Sequence, residues 1–169
     1  TIVGDVSTGI EWLRLDNLLL PTQGFKFVAS VALATPPFSL GLGQDIFVKL
    51  HGGGMAVVPL SRRATLRYSI RYDHGIPLGG GSLLPKVERF FAGGDITLRG
   101  YALDRARVEV QESDIGGGIV QRDIRPKGGN LRVLSNLDVQ YRVAGPWYVS
   151  VLLDSVAVED SRDALQPAR

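Results

Sequence analysis

Residues 64–73 alternate without a break. Ala64, Leu66, Tyr68, Ile70 and Tyr72 are apolar or aromatic, while Thr65, Arg67, Ser69, Arg71 and Asp73 between them are polar or charged. A period of two sends successive side chains to opposite faces of a strand, so this segment is greasy on one side and ionic on the other. Residues 132–143 repeat the pattern, with Val133, Leu137, Val139, Tyr141 and Val143 opposed to Arg132, Asn136, Asp138, Gln140 and Arg142. Both runs are about the ten residues that a tilted strand needs to cross a bilayer.

Residues 9–16, 25–34, 45–57 and 147–158 also read as strands, with Lys26, Ser30, Lys49, His51, Ser150 and Asp154 on their less apolar faces. Alternation equally describes a half-buried sheet of a soluble protein, so the connections must separate the two. Residues 17–24, 59–63 and 144–146 are short links; 35–44 holds a Pro-Pro pair and 74–130 is long. Up-and-down strands place the short links on one edge and the two others on the opposite edge, the asymmetry of outer-membrane barrels. Trp147 and Tyr148 follow the shortest link, where interfacial aromatics sit. Six such strands fall short of the roughly eight in the smallest single-chain barrels, so the remaining strands lie elsewhere or come from another chain. The start at Thr1 likewise suggests an excerpt.

Composition removes several classes. The chain has 169 residues and no cysteine, which excludes disulfides and thiolate metal sites; two histidines, His51 and His74, are too few for a metal cluster. Nineteen basic against 17 acidic residues leave a formal charge of +2, too balanced to argue for nucleic acid. No apolar run reaches the roughly 20 residues of a membrane helix, and no signal-peptide pattern is present. Ser61, Ser69, Asp73 and His74 are close in sequence, but neighbours on a strand point apart and no nucleophile elbow is visible. His51, Arg67, Arg71, Arg132 and Arg142 read as residues of a wet wall, and no catalytic residue, metal or cofactor is expected.

The long connection is patterned. Residues 105–112 alternate, 113–118 form a turn and 119–124 can return as a hairpin. Loops beyond about 15 residues are usually functional or disordered, and internal patterning favours function. Ahead of the hairpin stand Phe90, Phe91, Ala92, Gly93 and Gly94, then Leu98, Arg99, Gly100 and Tyr101. In a soluble protein these would be a hydrophobic turn and a surface charge.

In this setting they resemble the motif loop of the bacterial surface antigen superfamily, the BamA/TamA-like outer-membrane assembly-factor barrels. That loop carries Phe-Phe-x-Gly-Gly and ends in Arg-Gly-aromatic. The likeness runs along most of the chain. Asp16, Pro21 and Gly24 match an upstream turn, Gly128, Gly129 and Asn130 a downstream motif, and residues 139–147 look most like the TamA group.

The resemblance implies a C-terminal-side excerpt of an all-β, antiparallel up-and-down transmembrane β-barrel. Residues 1–169 would form the partial barrel, and residues 74–130 an external loop folding into the lumen. It implies that Arg99 contacts acids on the inner wall, matched here by Asp138 and Asp154, both on polar faces. The first acid is ordinarily Glu, so the shorter Asp138 favours a direct Arg99–Asp154 contact; Val156 stands where Gly is usual. It further implies an outer-membrane location in a Gram-negative bacterium or derived organelle. The expected function is cofactor-free insertion, assembly or translocation of other proteins, not enzymatic. Expected partners are outer-membrane lipid, nascent β-barrel or secreted clients, and periplasmic accessory proteins, without nucleic acid. Alternatives are a two-partner secretion pore, the barrel anchor of a patatin-like lipase, and a soluble β-rich binding module using Trp12, Tyr68, Tyr72 and Trp147.

Overall fold

Period-two segments of this length satisfy their backbone groups only by lying beside one another, and in the computed structural model they do so. It describes residues 4–35, 46–79, 83–114 and 120–160. Strands β1 (Asp5–Leu15), β2 (Gly24–Ala34), β3 (Phe47–Pro59), β4 (Ala64–Pro77), β7 (Leu131–Ala144) and β8 (Trp147–Glu159) form one sheet in that order. All neighbours are antiparallel. Among the described residues the sheet is open, with β1 and β8 each having a single neighbour.

Strand bounds follow the alternation, with corrections at the ends: β1 begins at Asp5, four residues before the expected residue 9, and Pro59, expected in a link, ends β3. Residues 74–77 were expected to open the long loop but continue β4, where His74 pairs with Leu131 and Pro77 with Phe47. The link therefore begins after Pro77. Gly75 and Pro77 look like turn residues in sequence, yet at the rim Gly75 donates its N–H to the Asn130 carbonyl (2.7 Å), outside the β4–β7 ladder. The Pro-Pro link, apart from Thr35, and Asp45 lie outside the described residues, as do residues 115–118 of the expected 113–118 turn and residue 119 of the expected 119–124 return.

Registered partners share a face, and the register sorts the side chains. One face carries Lys26, His51, Arg67, Asp73, Arg132, Asn136, Asp138 and Asp154, through pairs such as His51↔Asp73, Asp73↔Arg132, Arg67↔Asp138 and Asn136↔Asp154. The opposite face exposes Ile10, Trp12, Phe27, Val31, Tyr68, Ile70, Val149, Val151 and Leu153; Trp12, Val151 and Leu153 are 65–72% accessible. A contiguous apolar face of this kind needs lipid or a partner to cover it.

The long link lies on the ionic face. After a single 3₁₀ turn (Lys86–Glu88) it pairs Phe90 with Gly129 as an isolated bridge, runs through the motif, then forms the hairpin of β5 (Val108–Asp114) and β6 (Val120–Pro126). Two small apolar clusters fasten it to the wall: Leu84 and Phe90 against Ala34 and Phe47, and Ala92 with Ala106 against Leu134, Val156 and Val158.

At the opposite edge the links are tight. Asp16 closes the first turn by accepting from the N–H groups of Asn17 (3.0 Å), Thr22 (2.9 Å) and Gln23 (3.1 Å) and from the Thr22 hydroxyl (2.5 Å). With the Thr22 hydroxyl as its foremost partner, the Asp16 carboxyl is held down at about 2. Beside the last link the β7–β8 register shifts between Arg142 and Ala144.

Candidate functional site

The motif segment makes its own compact turn before it meets the wall. Gly93 N–H donates to Thr97 Oγ1 (2.8 Å), whose hydroxyl donates back to the Gly93 carbonyl (2.9 Å). Gly94 donates to the Tyr101 carbonyl (2.9 Å) and accepts from Leu98 N–H (3.1 Å). Gly93 sits at φ +130°, where a Cβ would lie 2.3 Å from the Ala102 carbonyl oxygen. Only glycine fits both that conformation and that approach. Gly100 also has positive φ (+86°), but a Cβ there meets nothing within 4 Å, so its requirement is conformational alone.

This turn delivers Arg99 to Asp154 on β8. Arg99 Nε donates to Asp154 Oδ2 (2.7 Å), Arg99 Nη2 donates to Oδ1, and the Arg99 backbone N–H adds a third bond to Oδ2 (3.1 Å). Asn136 on β7 donates to Oδ1 (2.9 Å), so the carboxylate is held from the wall as well as from the loop. A planar guanidinium serves both carboxylate oxygens at once, which lysine cannot do. The Asp154 side chain is 7% exposed, whereas that of Arg99 is 36% exposed. The carboxylate is thus built into the wall and the guanidinium arrives from outside it.

Asp138 lies on the same face but holds a different partner. Its Oδ2 stands 3.5 Å from Arg67 Nη1 on the neighbouring strand, while its Oδ1 has no hydrogen-bond partner among the described residues. Asp138 adds only long-range attraction for Arg99. Of the remaining motif residues, Phe90 and Leu98 are buried, Phe91 is half-buried and Tyr101 is 57% exposed.

A second contact lies nearer the start of the loop, and sequence reasoning missed it. Arg132 on β7 donates from Nη1 to the Phe91 carbonyl (2.5 Å) and from Nε to Asp73 Oδ2 on β4 (2.8 Å), with Nη2 in ion-pair contact with the same oxygen (2.7 Å). His51 on β3 donates from Nδ1 to Asp73 Oδ1 (2.7 Å). The His51 ring meets Phe90 edge-on, 5.6 Å between centroids, and the Arg132 guanidinium carbon lies 5.6 Å from the same ring. Alternation places His51, Asp73 and Arg132 on one face; their convergence on a backbone carbonyl leaves no mark in side-chain identity.

Further ties complete the attachment. Lys49 reaches Glu88, and Arg89 donates from Nε to the Leu84 carbonyl (2.9 Å). Arg107 makes a two-point contact with Asp160 (2.6 and 2.9 Å), and that guanidinium, helped by Lys127, holds the Asp160 carboxyl below its ordinary range. Between loop and wall a cavity of about 540 Å³ is lined by Lys26, His51, Gly53, Arg71, Asn136 and the motif's Ile96. Among the described residues no group of three or more His, Cys, Asp or Glu is placed to hold a metal ion.

The comparisons agree with this architecture. The model of the Omp85 superfamily domain matches residues 4–157. The crystal structure of BamA from Haemophilus ducreyi lacking POTRA domains 1–3 superposes with a TM-score of 0.74 at 20% identity, over 92% of this chain and 30% of that one. At that identity the likeness establishes the fold, and this chain spans less than a third of that structure. The model match covers nearly the whole sheet together with its motif loop: the chain belongs to the Omp85 superfamily and forms part of an outer-membrane β-barrel.

Proposed function

We propose that the intact protein inserts or assembles β-barrel proteins in the outer membrane, and that the loop held by Arg99 on Asp154 keeps the barrel in its working shape. The observation that carries this reading is the three-bond contact between the motif arginine and a wall carboxylate 55 residues away. It ties a 3₁₀ turn, a glycine-rich turn and a hairpin to the lumen side of a wall whose other face suits lipid. No bond is cleaved in such a process. An unpaired strand edge offers N–H and C=O groups to an incoming strand, and the exchange needs no cofactor. The motif residues Phe90, Phe91, Gly93, Gly94, Leu98, Gly100 and Tyr101 shape the loop, and Arg99 and Asp154 fasten it. Asp138 serves that site at one remove, by neutralising Arg67 beside it.

Outer-membrane placement sets aside the soluble binding module. Lipid, nascent or secreted client proteins and periplasmic accessory proteins are the proposed partners. The test uses the intact protein in proteoliposomes supplied with an unfolded outer-membrane β-barrel client. Arg99→Ala and Asp154→Ala should each slow client folding at least tenfold while the host barrel stays folded by its heat-dependent gel mobility. Undiminished folding in both variants would remove the loop from the mechanism. Export of a client into the external medium, without its insertion, would replace assembly by secretion.

A further inference from the structure

We infer that Arg132, with Asp73 and His51, is a second positioning latch that fixes the root of the motif loop independently of Arg99. The inference rests on the reading that the folded-back loop is the working state. Its ground is a reversal of roles. At the tip the loop brings the guanidinium and the wall the carboxylate; at the root the wall brings the guanidinium and the loop accepts with the Phe91 carbonyl.

The wall triad is built for this. Asp73 is buried, with 3% of its side chain exposed, and both its oxygens are occupied, Oδ1 by His51 and Oδ2 by Arg132. A buried carboxylate gripped on both sides orients the arginine's planar fork, leaving Nη1 to point at the loop. The rings add direction. His51 meets Phe90 edge-on and Arg132 lies near the same ring, so the aromatic that precedes the accepting carbonyl is seated against the two residues flanking Asp73. The next residue, Ala92, is buried against Leu134 and Val158. The latch therefore holds residues 90–92, whereas Arg99 holds residues beyond the Gly93 turn.

These 169 residues hold no cysteine, so once any cysteine elsewhere in the intact protein is replaced by serine, single substitutions report each segment in the intact barrel. Ala92→Cys reports the root and Leu98→Cys the tip; both positions are buried. Maleimide labelling of each is measured in native barrels whose folding is checked by heat-dependent gel mobility. In Arg132→Met, labelling at position 92 should rise at least tenfold while position 98 stays protected; Arg99→Met should do the reverse. Arg132→Lys keeps the charge beside Asp73 but loses the fork, and should give an intermediate rate at position 92. Because Arg132→Met leaves Asp73 without its arginine, the pair Asp73→Asn with Arg132→Met is measured beside it as a variant without the buried charge. Continued protection of position 92 in folded barrels of both variants overturns the second latch. Equal exposure of both positions by either arginine change overturns its independence. Protection of position 98 in Arg99→Met overturns instead the reading of the tip contact.

Discussion

Two aspartates organise opposite edges of this sheet, and they work in contrary ways. Asp16, at the short-turn edge, accepts four hydrogen bonds from residues one to seven positions away and stands in solvent. Asp154, inside the wall onto which the link from the loop edge folds, accepts from Arg99 across 55 residues, and its side chain is almost wholly buried. A local carboxylate turn needs no burial, because chain connectivity already holds donor and acceptor together. A contact across 55 residues must oppose the entropy of the intervening loop, and it gains strength from a carboxylate withdrawn from water. The turn edge is accordingly closed by local bonds, while the loop edge depends on residues of the distant wall.

The largest expected effect separates the two edges directly. Breaking a buried ion pair by removing one partner costs about 3–5 kcal/mol and an exposed pair about 0–1, so Asp154→Ala, with its partner one-third exposed, should weaken loop attachment by about 2–3 kcal/mol. Protease protection of residues between Phe90 and Tyr101 measures it. Asp138→Ala should cost less in the same assay, because its nearest cation is Arg67 at 3.5 Å and not Arg99. Equal losses would mean that Arg99 is shared between the two carboxylates.

A glycine comparison sharpens the point within the loop. Gly93→Ala forces a Cβ into the Ala102 carbonyl at an unfavourable φ, which should cost about 1–3 kcal/mol of loop stability. Gly100→Ala meets open space, so only the positive-φ penalty of about 1–2 kcal/mol applies. The same protection assay should rank Gly93→Ala above Gly100→Ala. The reverse order would place the tight approach at Gly100.

The wall was legible because a strand repeats every two residues: the alternation at 64–73 and 132–143 assigned both faces, and the register of β4 with β7 keeps them. The tip contact was readable through its resemblance, helped by the parity of Asp154. The end of β4 was not, since Gly75 and Pro77 carry turn chemistry while their pairing is decided by Asn130 and β3. The root contact was hidden for a different reason. His51, Asp73 and Arg132 come from three strands, and the acceptor they converge on is the Phe91 main-chain carbonyl, which every residue type possesses. Shared parity on the ionic face was the available clue, and it narrows the choice without naming the partner.

The smallest effect tests the turn edge by pH. The Asp16 carboxyl is held at about 2 in the folded turn by the Thr22 hydroxyl and nearby amides, against about 3.9 for a free aspartate. A folded value below the unfolded one means that the ionised carboxylate stabilises the turn above about pH 4. That contribution falls away as pH drops through about 2, when the proton displaces the hydrogen bonds. The amide shifts of Thr22 and Gln23 in the intact barrel should therefore titrate with a midpoint near 2, and in Asp16→Ala that titration should vanish without loosening the loop edge. A midpoint near 3.9 would mean that the carboxylate is free in the folded barrel, and that the short-turn edge is closed by its ladder alone.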